Sequence, residues 1–186
     1  MTDSELVDLV RRGDHAAFAA LVDRHRTAVY RTAFAALGTE QEAEEVAQDA
    51  FIIAFRRIAD FRGEASFRSW LLTIAWRRAL SHRRTVVRRL RRVVGLGSEA
   101  WPEPPALDPS PEAALLDGDL RRQVRRLIRA LPAALRDALL MTAASPETYE
   151  EVAAVLGIPV GTLKYRVADA RKRLKVKLAR LGYRDD

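Results

Sequence analysis

The sequence predicts an all-α protein built from two helical domains joined by a flexible linker. Apolar residues recur at three- and four-residue steps along most of the 186 positions, which is the helical spacing. No alternating apolar–polar run of useful length occurs, so no strand is expected. Five of the eight prolines fall within residues 93–111, a density that excludes helix and sheet. We therefore expect a helical domain at 1–92, a linker at 93–111 and a second helical domain at 112–186.

Two long helices open the first domain. Apolar positions spaced by three and four predict one over residues 14–37, and Gly38 can end it in a left-handed turn. Thr39 followed three positions later by Glu42 is typical of a capping box, which predicts that the next helix begins here. We expect that second helix to continue to Asp60.

Aromatic and arginine residues gather where the second helix ends. Residues 60–64 contain a glycine and are predicted to form a loop, after which Ser66 can cap a helix running to about residue 92. Aromatic faces stack on unpaired bases and arginines follow the backbone, so such a surface suits single-stranded DNA. We expect Phe67 and Trp70 to lie in the core, whereas Phe61, in the loop, is expected to serve function.

The second domain is predicted to contain four helices. The first two cover about residues 112–130 and 132–143. Ser145 as cap and Pro146 at the first helical position predict the start of a third, which runs to Leu156.

The last two helices have the arrangement of a helix-turn-helix. Gly157 permits a tight turn, and a strongly basic helix begins at about Val160. The second helix of this motif enters the major groove, where its side chains reach base edges and phosphates. The alternative is an ordinary helical hairpin, which does not account for the donors on the second helix: Lys164, Tyr165, Arg166, Arg171, Lys172, Arg173, Lys175 and Lys177.

The charge pattern favours a polyanionic partner. The chain carries 32 basic and 25 acidic residues, a net charge of +7. Residues 61–92 have a net charge of +9 and residues 121–186 of +8, while residues 1–60 and 93–120 have net charges of −4 and −6. Two separate basic blocks indicate two surfaces that face nucleic acid.

Several function classes are excluded or unsupported. The absence of cysteine excludes disulfide scaffolds, zinc ribbons and thiol nucleophiles. No apolar run reaches the length of a membrane span, and no phosphate-binding loop, GxSxG or HExxH motif occurs. We therefore expect no catalytic residue, no metal site, no cofactor and no membrane insertion. The acidic residues early in the second helix instead suggest a docking face for a basic partner.

These stretches together resemble the extracytoplasmic-function group of bacterial sigma factors, within the sigma-70 family, over nearly the whole chain. The matching strings are FAALVDRHRTAVYRTA at 18–33, EQEAEEVAQDAFIIAFRRIADFRGEASFRSWLLTIA at 40–75, ALPAALRDALLM at 130–141 and YEEVAAVLGIPVGTLKYRVADARKRL at 149–174. The resemblance implies a sigma domain two, an acidic linker that runs through the RNA path of the polymerase, and a sigma domain four. It implies a non-catalytic subunit that directs core RNA polymerase to promoters and helps to melt the DNA.

The resemblance also implies roles for single residues. The implied partner is core RNA polymerase, through its beta-prime coiled coil and its beta subunit. Docking on the beta-prime coiled coil is implied for Glu42, Glu45, Gln48 and Asp49. Recognition of single-stranded minus-ten DNA is implied for Phe61, Arg62, Ser66, Arg77 and Arg78. Recognition of the duplex minus-thirty-five element is implied for Thr162, Lys164, Tyr165, Arg166, Arg171 and Lys172. The resemblance further implies that the protein is bacterial and cytoplasmic. It also implies regulation by an anti-sigma factor, which can hold the protein at the membrane.

Three positions depart from residues common in that group, and they bear on promoter sequence. Arg77 stands where many relatives have Asn, Tyr165 where Ser is common, and Asp169 where Arg is common. Two alternative classes are a free-standing helix-turn-helix repressor or activator and a purely structural helical protein. The first needs a dimerisation surface and a ligand or phosphorylation domain, neither of which the sequence shows, and the second leaves the basic helix unexplained.

Overall fold

A computed structural model describes residues 1–94, 119–144 and 148–183. Every regular element in these ranges is helical, which confirms the all-α prediction. The chain divides into an N-terminal and a C-terminal compact unit. Most of the predicted linker at 93–111, together with residues 112–118, lies outside the described residues.

Four helices and one short turn make up the N-terminal unit. A 3-10 turn at Ile58–Asp60 separates the last two helices. The helices are α1 (Asp3–Arg11), α2 (His15–Leu37), α3 (Glu40–Arg56) and α4 (Phe67–Val94).

The capping signals in the sequence set the helix boundaries of this unit. Gly38 ends α2 in the left-handed region at φ 83°, where a side chain would be strained, and its N–H donates to the carbonyl of Phe34. Thr39 caps α3, because its hydroxyl accepts the N–H of Glu42 at 3.3 Å. Both predicted boundaries are confirmed, but the capping box at α3 is incomplete, because the Glu42 carboxylate accepts the hydroxyl of Thr39 at 2.8 Å rather than its N–H. Helix α1, which the sequence did not single out, begins with a complete capping box between Thr2 and Glu5.

The prediction that α3 reaches Asp60 is wrong. The helix ends at Arg56, and the chain then tightens into the 3-10 turn, in which the N–H of Phe61 donates to the carbonyl of Ile58 at 3.3 Å. The tighter turn rotates the chain so that Ile58 is buried while the neighbouring Arg57 and Ala59 stay exposed. Apolar spacing alone does not distinguish this turn from a further helical turn.

The core of the N-terminal unit lies where α2, α3 and α4 pack on one another, with α1 laid against α2. Small residues allow these helices to approach closely, and alanine is frequent among the fully buried positions. The buried set includes Leu21, Val29, Ala33, Ala43, Val46, Ala50, Ala54, Leu71, Leu72, Ala75 and Ala79.

Four helices lie in the described residues that follow position 118. They are α5 (Asp119–Arg129), α6 (Ala133–Ala144), α7 (Tyr149–Leu156) and α8 (Val160–Arg180). Helix α8 packs on α5 and α6, and its Ala170 lies in a buried cluster with Leu131 and Leu135. The predicted helices at 132–143 and from Val160 are confirmed.

The expected cap of α7 is wrong. Ser145 and Pro146 lie outside the described residues, but the helix begins at Tyr149. Thr148 caps it, since its hydroxyl accepts the N–H of Glu151 at 3.2 Å and its own N–H donates to the Glu151 carboxylate at 3.0 Å. A reciprocal Thr–Glu pair satisfies two free N–H groups, which a serine three positions upstream cannot do for this start.

Candidate functional site

The turn between α7 and α8 has the geometry of a helix-turn-helix. Gly157 lies in the left-handed region at φ 67°, and its N–H donates to the carbonyl of Ala154 at 3.1 Å. The N–H of Ile158 donates to the carbonyl of Ala153 at 3.0 Å, which closes the turn. Val152 and Leu163, one from each helix, are buried. The turn therefore ends α7 at Leu156 and lets α8 begin at Val160, with a buried apolar residue in the helix on each side of it.

Helix α8 buries one face and presents a basic one. Leu163, Val167 and Ala170 are buried. Lys164 is exposed, and Tyr165 is 70% exposed, an unusual state for a tyrosine without a partner surface. Of the other residues predicted to contact minus-thirty-five DNA, Arg171 and Lys172 are exposed, and Thr162 and Arg166 are half-buried.

Asp169 lies among these basic residues and pairs with Arg173 one turn later. Arg173 Nε lies 3.1 and 3.0 Å from the two carboxylate oxygens of Asp169. The carboxylate therefore faces along the helix towards its C-terminal end rather than back towards Arg166. Sequence spacing alone allows either partner, at three or four residues.

Phe61 is buried, which corrects the expectation that it stands outside the core. Only 8% of the residue is exposed. Its ring packs against Phe67 and Trp70, with ring centroids 5.6 and 5.4 Å apart. Phe67 is buried as expected, and Trp70 is half-buried. The aromatic side chains form one cluster because a loop residue gains more from covering an apolar surface than from exposure.

The loop that follows Phe61 is exposed along its whole length. Residues 62–66, which include Arg62, are all open to solvent, and Arg77 on α4 is exposed as well. Ser66 caps α4 as predicted, accepting the N–H of Ser69 at 3.1 Å. The loop is thus fixed at both ends and free in its middle.

The four predicted docking residues on α3 fall into two groups. Glu45 and Gln48 are exposed. Glu42 and Asp49 turn towards α4, where a carboxylate oxygen of Glu42 lies 3.2 Å from His82 Nε2 and Asp49 accepts from Arg78 at 2.5 and 2.9 Å. Arg78, predicted for minus-ten DNA, is therefore engaged by a residue predicted for docking.

An open apolar groove between α2 and α3 is a feature that the sequence analysis missed. It is lined mainly by Phe18, Val22, Tyr30, Phe51, Ile52 and Phe55. Ile52 is 44% exposed and Phe55 is 37% exposed, and Gln48 lies on the groove's rim. The sequence feature that indicates the groove is the apolar surface of α3, which covers more of the helix than one buried stripe requires.

Metal and membrane chemistry gain no support in the described part of the chain. Residues 1–94, 119–144 and 148–183 contain no group of three or more His, Asp or Glu residues placed to hold a metal ion. Over the same ranges, no helix is both long enough and apolar enough to cross a membrane.

Comparison with family models identifies both units. The model of sigma-70 region 2 matches residues 21–92, and the model of sigma-70 region 4 matches residues 121–174. Together with the helix-turn-helix, these matches define the class of the protein as an RNA polymerase sigma factor. Sigma factors are non-catalytic specificity subunits, so the chain is not an enzyme.

Similar proteins narrow the class further. The chain is 36% identical over 179 residues to the RNA polymerase sigma-H factor of Pseudomonas aeruginosa, covering 92% of this chain and 91% of that protein. It is 34% identical over 187 aligned positions to the ECF RNA polymerase sigma-E factor of Escherichia coli K12, covering 96% and 95%. The chain belongs to the sigma-70 family, in its extracytoplasmic-function group.

Two solved structures share the fold. CnrH in complex with the cytosolic domain of CnrY aligns with a TM-score of 0.67 at 26% identity, covering 95% of this chain and 97% of that one. The sigma factor RpoE of Bartonella quintana, in complex with the anti-sigma factor NepR, aligns with a TM-score of 0.64 at 27% identity, covering 87% and 96%.

Proposed function

We propose that the chain directs core RNA polymerase to promoters by recognising a minus-ten and a minus-thirty-five element, and that it helps to melt the DNA. One observation carries the minus-thirty-five half of the proposal: the second helix of a helix-turn-helix exposes Lys164 and Tyr165 while it buries Leu163. Residues at the start of such a helix reach base edges in the major groove. In this proposal Arg171 and Lys172, which are exposed further along the helix, contact phosphates, and Thr162 and Arg166 flank the residues that read bases.

The exposed loop and the start of α4 form the minus-ten half. Arg62, Ser66 and Arg77 are solvent-accessible, so they can contact an unpaired strand without any rearrangement of the core. Phe61 has a structural role in this proposal instead of stacking on a base, because its ring holds the loop against Phe67 and Trp70. Arg78 contacts DNA only if it leaves Asp49.

Docking on core polymerase uses the outer face of α3. Glu45 and Gln48 are exposed, and Gln48 also borders the apolar groove that contains Ile52 and Phe55. A coiled coil of the largest polymerase subunit fits this surface because a helical ridge can bury the groove while its basic side chains meet Glu45. Glu42 and Asp49 support the face from behind through α4.

Regulation by an anti-sigma factor is part of the proposal. Two similar sigma-fold structures hold a partner, named as an anti-sigma factor in one case and as a cytosolic domain in the other. We extend this to the present chain as a cytoplasmic bacterial protein, which a membrane-bound anti-sigma factor can hold at the membrane.

Run-off transcription with purified core polymerase on genomic promoter fragments tests the function. The unmodified chain should start transcription at discrete sites, whereas the chain alone should bind the same DNA weakly. Lys164→Ala should change the preferred upstream bases, and Arg62→Ala should lower open-complex formation. Arg180→Ala, at the far end of α8, is the matched control. Specific binding of duplex DNA by the chain alone, without any response to polymerase, would instead indicate a free-standing repressor or activator.

A further inference from the structure

Helix α1 reaches the loop that follows the 3-10 turn through its last residue. Arg11 Nη2 donates to the backbone carbonyl of Phe61 and lies 3.5 Å from the carbonyl of Ile58. The side chain of Asp8, one turn earlier, lies 3.3 Å from Arg11 Nη1 and orients the guanidinium. Because the guanidinium has several donors fixed in one plane, Nη1 can pair with Asp8 while Nη2 holds the Phe61 carbonyl.

The contact falls where the exposed loop leaves the core. Phe61 is the last buried residue before the run of exposed residues 62–66. Its ring is held by the aromatic cluster and its carbonyl by Arg11, so both the side chain and the backbone are fixed at this point. At the other end of the loop, Ser66 accepts the N–H of Ser69. Arg11 is therefore one of the few groups that fix the exit angle of the loop.

The other end of α1 is fastened beneath the same aromatic cluster. Asp3 lies 2.6 Å from Arg24 Nη1 and 2.9 Å from His25 Nε2. The His25 ring is buried, and its centroid lies 5.7 Å from that of Phe67. Helix α1 thus contacts the cluster from one side through His25 and the start of the loop through Arg11.

We propose that Arg11 is a positioning residue for the minus-ten loop, and that α1 belongs to the apparatus that captures the unpaired promoter strand. This inference rests on the function proposed above. Helix α1 lies before the residues matched by the region 2 family model, which begins at residue 21. Without Arg11, the loop samples other exit angles. If the held conformation falls to about a tenth of the population, the affinity for the unpaired strand falls about tenfold.

The test compares four chains assembled with core polymerase: unmodified, Arg11→Ala, Arg11→Lys and Arg12→Ala. The probe is a single-stranded oligonucleotide that carries the minus-ten strand of a promoter selected by the unmodified holoenzyme from genomic fragments. We expect Arg11→Ala to lower affinity for this probe about tenfold. Arg11→Lys should lose less, because its ammonium can still donate to the Phe61 carbonyl although it lacks the planar geometry of the guanidinium, and exposed Arg12→Ala should bind as the unmodified chain does.

Core polymerase affinity separates positioning from a general loss of structure. Docking uses α3 in the same compact unit, so a variant that merely unfolds the unit loses polymerase and single-strand binding together. A positioning role lowers single-strand binding alone. In addition, Arg62→Ala combined with Arg11→Ala should lose less than the two single effects added, because Arg11 acts through the loop that carries Arg62.

Amide hydrogen exchange in the loop keeps the two proposals distinguishable. Faster exchange of residues 62–66 in Arg11→Ala, with weaker single-strand binding, supports the inference. Unchanged exchange, or single-strand affinity equal to that of Arg12→Ala, overturns it. If the unmodified holoenzyme selects no promoter, the proposed function fails, and the role of α1 in strand capture fails with it, even where exchange shows that Arg11 holds the loop.

Discussion

Arg78 of α4 donates from Nε and Nη2 to a single oxygen of Asp49 on α3, at 2.9 and 2.5 Å. The two side chains are about one-third exposed, 31% and 34%. One turn further along α4, His82 lies 3.2 Å from Glu42 of the same partner helix. Two carboxylates of the acidic helix are thus used to join α3 to α4, and only Glu45 and Gln48 of the predicted docking set face outward.

The Asp49–Arg78 pair should make a measurable contribution to stability. We expect Asp49→Asn and Arg78→Gln to lower the free energy of unfolding, with a coupling energy of about 1 kcal/mol, since a partly exposed charged hydrogen bond keeps only part of its strength. A double-mutant cycle by urea unfolding measures this coupling. Additive effects of the two substitutions would show that the pair does not stabilise the unit in solution.

Charge reversal on α3 should separate docking from folding. Glu45→Lys should weaken binding to core polymerase and leave the melting temperature unchanged, because exposed substitutions usually cost less than about 0.5 kcal/mol. Asp49→Lys should lower both, since it places a lysine against Arg78. Polymerase affinity and thermal unfolding are measured on the same preparations. Equal polymerase binding by Glu45→Lys and the unmodified chain would contradict the docking surface.

Phe61→Ala should act mainly on stability. Removing a buried phenyl ring from the aromatic cluster is expected to cost about 3 kcal/mol. Denaturant unfolding measures this loss, and Phe61→Leu should recover much of it by filling the space. The exposed neighbour Arg62→Ala serves as the control, with unchanged stability and reduced single-strand binding. A Phe61→Ala chain of normal stability that fails only in open-complex formation would restore the base-stacking role.

Removal of the Asp169 carboxylate should strengthen non-specific duplex binding. The substitution Asp169→Ala deletes a negative charge on the basic helix α8 and releases Arg173, whose exposed pair contributes only about 0.3–0.5 kcal/mol to the helix. We expect holoenzyme affinity to rise about twofold to fivefold at low salt and the difference to shrink as salt rises. Glu150→Ala, an exposed acid on α7, is the control. Weaker binding by Asp169→Ala would mean that the carboxylate orients Arg173 for DNA.

His25 should make stability depend on pH. Burial lowers the pKa of His25 below its ordinary value; Asp3 opposes this shift, and Arg68 and Arg24 add to it. The unfolded chain therefore takes up a proton at about pH 6.5 before the folded chain does. Stability should be greatest above that pH and should be lost as the pH falls through the folded pKa.

Thermal unfolding over a pH series tests this, with His25→Gln as the variant. Its melting temperature should vary less between pH 7 and pH 5 than that of the unmodified chain. Exposed His15→Gln should leave the pH profile unchanged. The same profile for all three chains would show that His25 does not control the acid response.

Local signals account for most of what the sequence predicts correctly. Gly38, Thr39 and Ser66 have short-range roles that depend only on neighbouring backbone groups, so their positions define α2, α3 and α4. Gly157 and the basic residues after it predict the helix-turn-helix for the same reason. At the start of α7 the deciding signal is also local, since Thr148 and Glu151 form a reciprocal capping pair that the prediction from Ser145 overlooked.

Several other errors and omissions concern tertiary contacts, which helical spacing does not describe. Burial of Phe61 depends on Phe67 and Trp70 folding back against the loop, and the contact from Arg11 spans fifty residues. Asp49 is a surface position of α3 until α4 packs beside it. Periodicity identifies the face of a helix, but it does not identify the partner that covers that face or leaves it open, as in the groove beside Ile52.

Helix α4 runs without a break through 28 residues from Phe67 to Val94. At 1.5 Å per residue it is about 42 Å long, which corresponds to about twelve base pairs of B-form DNA. The distance from the exposed loop to Arg88 and Arg89 is therefore set by helix rise, and their facing by helix rotation. Deleting four residues between the loop and these arginines would shorten the helix by about 6 Å and leave the arginines on nearly the same side of it. Deleting two would turn the arginines to the opposite side. The spacing between the loop and these arginines is in this sense a count of residues.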